Sequence, residues 1–223
     1  MIELKISLSI KNNILFDIKE TCSAYLFFLK ILNSCDPKIT GFYGQGESLE
    51  NALNNKLFSI DGYISSNAKI YLSERLPYAT SLWDGNTDEA MSIIFAGVNN
   101  KTNIIIELER YKGIYDIEKL IKILTSIAEN YTLNYFSVFF SNNENVFPER
   151  LNVGWVIYLP VNNIIVTTNE CERIEYVNIG GNKGRLFIVK DVYNCLNETH
   201  RYASNDLEIE LVDAGFLPLY KDI

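Results

Sequence analysis

Ile2, Leu4, Ile6, Leu8 and Ile10 alternate with Glu3, Lys5, Ser7 and Ser9, the period-two pattern of a half-buried strand. The period then lengthens. From Cys22 through Tyr25, Leu26, Leu29 and Leu32 to Cys35, apolar positions recur every three or four residues, which predicts a helix buried along one stripe. Asp17, three residues before Glu20, supplies a capping box at its start. Pro37 stops it, because the residue before a proline is disfavoured in the helical region. A second stripe, Ile117, Leu120, Ile121, Leu124, Ile127 and Ala128, follows a capping Asp116.

Strand patterns fill the rest. YATSLWDG (78–85) reads as a strand ending in an Asp-Gly turn, and MSIIFAGV (91–98) with TNIIIELE (102–109) reads as a hairpin across Asn99-Asn100-Lys101. Residues 61–77 are ambiguous, with a helix expected over 70–76. NYFSVFFS (134–141) is a strand that runs into the polar loop Asn142, Asn143, Glu144. VGWVIYLP (153–160) and NIIVTT (163–168) suggest another hairpin, and RLFIVK (185–190) a strand. Residues 191–213 read as partly helical, with a break at Ser204-Asn205. No linker or charge block marks a boundary. The pattern predicts an α+β fold, a single domain over residues 1–223 whose mainly antiparallel sheet is built from hairpins and packed against two longer helices. Two tightly packed halves near 1–110 and 111–223 are the alternative.

One stretch invites a chemical reading. DPKITGFYGQGESLENAL (36–53) places Gly41, Gly44 and Gly46 just before a short helix carrying Leu49, Ala52 and Leu53. A phosphate-binding loop of the Walker type ends in Lys followed by Ser or Thr; here Glu47 stands where the cation belongs. A dinucleotide loop needs a third glycine where this chain has Leu49, and a strand rather than a helix before it. The glycines are therefore expected to turn the chain, with Ser48 or a neighbour capping the short helix and Phe42 or Tyr43 pinning the loop.

The 20 basic and 28 acidic residues leave a net charge of -8, which disfavours direct nucleic-acid binding and suits a basic protein partner. Fourteen Tyr and 12 Phe exceed what a core alone uses, so some tyrosines are expected at an interface. Cys22 and Cys35 lie at opposite ends of one helix, about 20 Å apart, and cannot pair. With Cys171 and Cys195 they read as free thiols of a reducing compartment. The first residues lack an export signal, and no apolar run approaches the length of a membrane span, which leads to a cytoplasmic expectation.

The inventory of reactive groups is thin. His200 is the only histidine and reads as a solvated surface residue, there is no CxxC pair, and no GxSxG element occurs. No metal, cofactor or catalytic set is expected, and the chain is read as a non-enzyme. Glu107 and Glu109 share one strand face. Two acidic runs stand out instead: Glu170, Glu172 and Glu175 in NECERIEY, and Asp206, Glu208, Glu210 and Asp213 in NDLEIELVD, with Tyr176 and Tyr202 nearby. Each is either a solvated face or a surface that steers a basic partner.

These elements resemble, in order and spacing, the immunity protein 52 family of bacterial polymorphic-toxin systems. The resemblance is carried by Cys22, Leu26, Leu29, Leu32, Asp36-Pro37, Phe42 or Tyr43, Gly46 and Ser48 to Ala52, then by SLWDG (81–85), VGWVIYLP (153–160) and IIVTT (164–168). It implies a cytoplasmic immunity protein that binds and neutralises a cognate secreted toxin, often a nuclease delivered by type VI secretion, without catalysing anything. The expected contact residues are Trp83, Asp84, Glu107, Glu109, Trp155, Tyr158, Glu170, Glu172, Glu175, Tyr176, Asp206 and Glu208, framing an aromatic centre in a one-to-one complex. Trp83 and Trp155, both in expected strands, read first as core or inter-sheet packing residues and second as interface anchors, and the Asp84-Gly85 turn beside Trp83 favours its exposure. The rival readings are an adaptor with a non-toxin partner and a carboxylate-centred hydrolase.

Overall fold

The computed structural model describes residues 2–110, 113–161 and 170–223. In chain order the elements begin with β1 (Glu3–Ile10), α1 (Ile18–Cys35), β2 (Gly41–Tyr43), α2 (Leu49–Leu53) and β3 (Lys56–Ser59). They continue with α3 (Ser66–Ser73), β4 (Ala79–Trp83), β5 (Met91–Val98), β6 (Lys101–Glu109) and α4 (Ile117–Asn130). The last five are β7 (Leu133–Phe140), β8 (Val156–Leu159), β9 (Arg173–Ile179), β10 (Asn182–Ile188) and α5 (Glu198–Asp213). The fold is α+β, with antiparallel, hairpin-built strands and long helices, as the sequence pattern predicts. Contacts divide the chain into two compact units, residues 11–126 and residues 1–10 with 127–223. The first strand belongs with the C-terminal residues because it pairs antiparallel with β7 along its whole length, from Leu4 opposite Phe140 to Ile10 opposite Leu133.

In residues 11–126 the strand order is β3-β2-β4-β5-β6. The β5–β6 hairpin closes where Val98 faces Lys101, and Asn99 takes the left-handed conformation that asparagine tolerates in such a turn (φ 55°). Helix α1 starts at Asp17, whose carboxylate accepts from the N–H groups of Lys19 and Glu20. It lays Tyr25 flat against Phe95 of β5, centroids 4.2 Å apart, with Phe28 edge-on to the same ring at 5.5 Å. Tyr25 is fully buried, and its hydroxyl donates to the Thr80 carbonyl at 3.2 Å. Leu26, expected in the buried stripe, is half-exposed, and Phe28 fills the core instead.

The glycine stretch is more than a corner. Gly41–Tyr43 forms β2, paired to β3 and, through Tyr43, to β4. Gly46 lies tight against α2: a Cβ there would sit 2.6 Å from the Ala52 nitrogen. Ser48 caps α2, accepting from Asn51 N–H at 3.2 Å, and Phe42 is fully buried. Leu49 and Leu53 point outward, leaving Ala52 alone to anchor the helix. Helix α3 begins four residues earlier than expected because Ser65 caps it, accepting from Ala68 N–H.

In the other unit the order is β1-β7-β8-β10-β9. The β9–β10 hairpin was not apparent in the sequence pattern. It turns through Gly180 and Gly181, both at positive φ, and a Cβ on Gly180 would come within 2.1 Å of the Ala128 carbonyl oxygen. Next to the turn, buried Asn182 donates to the carbonyls of Ala128 and Tyr131 and accepts from Leu133 N–H. One side chain thus satisfies orphan groups at the end of α4 and the start of β7. Strand β8 pairs with β7 on one side and β10 on the other. The strand expected over 163–168 lies outside the described residues. Helix α5 runs unbroken through Ser204-Asn205, against expectation. The buried Ser204 hydroxyl bonds the His200 carbonyl one turn back and pairs with Tyr193 Oη, so the serine is satisfied inside the helix.

Candidate interaction site on helix α5

Asn197 starts α5, its side chain accepting from Thr199 N–H at 3.0 Å. Ala203, Ser204, Leu207, Glu208 and Leu211 line the inner stripe and are buried. The opposite stripe carries Glu198, Tyr202, Asp206, Ile209 and Asp213, spaced four, four, three and four residues apart. All five are exposed, Tyr202 by 59%. Tyr202, Asp206, Asp213 and, on the neighbouring loop, Glu144 make no side-chain hydrogen bond or ion pair among the described residues. The helix holds five carboxylates and one guanidinium. The charge of the chain is unevenly divided: residues 1–10 and 127–223 hold 14 acidic and eight basic residues, residues 11–126 hold 14 and 12.

Beside Tyr202 opens a polar cleft of about 170 Å³. Asn142, Asn143 and Glu144 form one wall, and Arg201, Tyr202 and Asn205 form the other. The loop wall is held from below. Glu208 accepts from Val146 N–H (3.1 Å) with one oxygen and from Phe147 N–H (2.7 Å) with the other. Burial raises its pKa and these two hydrogen bonds oppose the rise. Asn143 accepts from Phe140 N–H and donates to Tyr193 Oη, which also pairs with Ser204. Among the residues expected to meet a partner, Glu208 is thus a buried bracket: a side chain 2% exposed offers nothing to a surface.

Trp155 and Tyr158 are likewise interior. Trp155, 3% exposed, donates its indole N–H to the Lys190 carbonyl at 2.7 Å and packs in a three-ring cluster with Phe140 and Tyr193, every pair of centroids 5.8–6.2 Å apart. Tyr158 is fully buried on β8, and burial pushes its hydroxyl up to about 12. His200 is half-buried rather than solvated, its Nδ1 accepting from Asn194 N–H at 3.0 Å.

The first acidic run has a different fate. On the β9–β10 hairpin and its flank, Glu172 meets Lys190 Nζ at 3.2 Å and accepts from Asp191 N–H at 2.7 Å, which holds its carboxyl below the usual range. Arg173 donates to Glu175 and reaches Asp191 at 3.3 Å. Tyr176 is exposed with the Arg185 guanidinium 5.2 Å from its ring centre, and Glu170 is half-buried. This run is matched by its own cations.

Trp83, Asp84, Glu107 and Glu109 fall in residues 11–126. Strand pairing places Tyr43, Trp83, Ser92 and Glu107 opposite one another across β2, β4, β5 and β6. Trp83 is half-buried, donates its indole N–H to the Gly44 carbonyl and sits 6.1 Å from the Tyr43 ring. Ser92 donates to Glu107 at 3.3 Å, and Glu109 lies 3.7 Å from Arg110. Asp84 staples the turn after β4 by accepting from Asn86 and Met91 N–H groups, and burial raises its pKa.

Among the described residues no group of three or more His, Cys, Asp and Glu is placed to hold a metal ion, all four cysteines are free thiols, and no helix is long and apolar enough to cross a membrane.

No family model matches the sequence, and no curated protein matches it. Among solved structures, a Pseudomonas aeruginosa T6SS protein aligns over 95% of this chain and 84% of its own, at 10% identity and a TM-score of 0.47. A likeness of that strength carries no argument. The resemblance to the immunity protein 52 family therefore rests on the residues quoted for it.

Proposed function

We infer that this chain is an immunity-type protein, cytoplasmic, which binds a basic secreted toxin domain, a nuclease, and blocks its nucleic-acid-binding surface with the outer face of α5. One observation carries this reading: α5 presents exposed Tyr202 beside the unpaired carboxylates of Asp206, Asp213 and the neighbouring Glu144, on the more acidic of the two units. A nuclease surface must attract phosphates and is therefore basic, so an unpaired acidic face is complementary to it and accelerates encounter. The exposed tyrosine supplies the amphipathic area that anchors interfaces. The paired carboxylates of the β9–β10 hairpin are poorer candidates, because their cations must be displaced first. The chain acts by occupancy rather than turnover, at an interface of roughly 1,200–2,000 Å² in total.

The test is co-expression of the full chain with the product of the adjacent gene. Rescue of growth together with copurification supports the reading. A toxic neighbour that is neither neutralised nor copurified sinks it. If rescue persists undiminished when Glu144, Asp206 and Asp213 are all changed to lysine, the surface assignment is wrong although the function stands.

A further inference from the structure

Trp83 and Glu107 are expected at an interface, yet the outer face of α5 uses neither. Beside Trp83 opens a groove of about 350 Å³. Gly46, Leu49 and Ala52, from α2 and the loop before it, form one side; Ser81, Trp83 and Ser92 form the other. These strand residues lie on the sheet face opposite Phe95 and helix α1, and the whole groove belongs to residues 11–126. Its aromatic side is fixed, because the Trp83 indole N–H donates to the Gly44 carbonyl at 3.3 Å. Its helix side offers Leu49, which is 56% exposed.

Charge in and around the groove has one sign. Ser92 donates to Glu107 at 3.3 Å, so a carboxylate stands next to the lining. Glu47 lies between two lining residues, Gly46 and Ser48, and Glu50 follows Leu49. Both glutamates are exposed, and neither makes a side-chain hydrogen bond or ion pair among the described residues. The lining itself contains no cation. Cross-strand pairing sets Lys56, Tyr43, Trp83, Ser92 and Glu107 in one row. At one end Lys56 Nζ sits 5.6 Å from the Tyr43 ring centre; the other end is acidic. Trp83 is thus an accessible ring with a carboxylate two strands away, about 10 Å between backbones.

The occupant's chemistry follows from that combination. A carboxylate or phosphate would face three acidic side chains. An apolar side chain would cover Trp83 and Leu49 but bury the Ser81 and Ser92 hydroxyls without supplying a partner. An arginine answers each feature: its stem covers Leu49 and Ala52, and its planar guanidinium stacks on an indole and donates to carboxylates. A lysine ammonium is more strongly hydrated and cannot stack.

We propose that this groove receives an arginine side chain of a protein partner, its guanidinium against the Trp83 ring and directed to Glu107, its stem along Leu49. The groove adds a contact on residues 11–126 to the acidic face of α5. It rests on the immunity reading only for the identity of the partner, a basic toxin domain being rich in surface arginine. Steering by charge is tolerant of which cation arrives, whereas a ring beside a carboxylate selects a flat one.

The experiment titrates the ¹⁵N-labelled full chain with Nα-acetyl-arginine amide and reads the Trp83 indole N–H and the Ala52 and Ser92 backbone signals. Saturable shifts of these groups are expected, with a midpoint of about 5–50 mM for so small a probe, while the signals of β1 and β7 stay in place. The citrulline analogue keeps the shape without the charge and should bind about fivefold more weakly; the lysine analogue should be weaker about threefold. Glu107→Gln keeps an acceptor for Ser92 and should weaken arginine about threefold without changing citrulline. Glu47→Gln with Glu50→Gln, both on exposed positions, should weaken arginine about twofold at low salt and not at high salt. No saturable shift up to about 200 mM overturns the assignment, as does a citrulline response equal to that of arginine. A leucine analogue that binds more tightly than arginine overturns it in favour of an apolar occupant, and a lysine response equal to arginine overturns the stacked guanidinium. None of these readings involves a toxin, so the groove and the immunity reading fail separately.

Discussion

Helix α5 and the β9–β10 hairpin are both rich in carboxylates, yet they use them in opposite ways. On the hairpin, Arg173 and Lys190 gather Glu172, Glu175 and Asp191 into a surface network. On α5, Asp206 and Asp213 have no such partner, Tyr202 stands between Glu198 and Asp206, and the buried Glu208 binds backbone N–H groups. A run of glutamates does not make an electrostatic surface. What matters is where the nearest cation is, and that depends on strand register and helix phase.

Breaking the inward use of charge should have the largest effect. Glu208→Ala leaves the Val146 and Phe147 N–H groups without an acceptor. We expect a loss of about 3 kcal/mol in urea unfolding, since each orphaned buried group costs about 1–3 kcal/mol. A loss under about 1 kcal/mol would mean that the loop finds other partners. Next is Tyr202→Ala, expected to weaken binding of the captured toxin by about 2 kcal/mol, mostly through faster dissociation seen by surface plasmon resonance. An unchanged dissociation rate would move the anchor elsewhere.

The charge comparison itself is tested by reversal. Lysine at Glu144, Asp206 and Asp213 together should slow association with the toxin about tenfold or more at low salt, and should flatten the salt dependence. Lysine at Glu172 and Glu175 should change the rate less than about threefold. Equal effects would erase the distinction between the two regions.

The smallest expected effect is the most diagnostic, because its sign differs between the regions. The Glu208 pKa is raised by burial, so its folded form holds a proton more tightly than the unfolded chain does. Its contribution is fully present below the ordinary value of 4.5 and is lost as pH rises through the folded pKa. The Glu172 pKa is lowered by the Asp191 N–H, so its contribution is present above 4.5 and is lost as pH falls through the folded pKa. Melting temperatures of Glu208→Gln and Glu172→Gln relative to the parent should therefore drift in opposite directions across the acidic range. Parallel drifts would contradict the assignment.

Legibility followed the same physics. Helix α1 and strands β1, β5 and β6 could be read because one face is apolar and caps or turns mark their ends; Asp17 and Asn99 sit where the sequence puts them. Strand β9 was hidden because its exposed face carries Ile174 and Tyr176, inverting the usual polarity of an edge strand. Strand β2 is only three residues long and begins with glycine. Trp155 reads first as a core residue and is one, but the Lys190 carbonyl that accepts its indole N–H is distant in sequence and had no signal there. Glu208 could have been found. Once Ser204 is taken as helical, position 208 lies one turn on, in the stripe of Ala203, Leu207 and Leu211. The cleft wall at Asn142 to Glu144 had only the signal of a polar loop, and its pairing with Arg201 is a product of the fold.

The two tryptophans fall one in each compact unit and in contrasting surroundings: Trp83 is half-buried among residues 11–126, and Trp155 is buried against two other rings in the other unit. The chain thus contains its own pair of optical reporters. Trp83→Phe leaves a fluorophore shielded from acrylamide until residues 127–223 open, and Trp155→Phe leaves one that a quencher reaches in the native state. With these two single-tryptophan chains, denaturation can be followed unit by unit, without a label, to learn whether the halves melt as one.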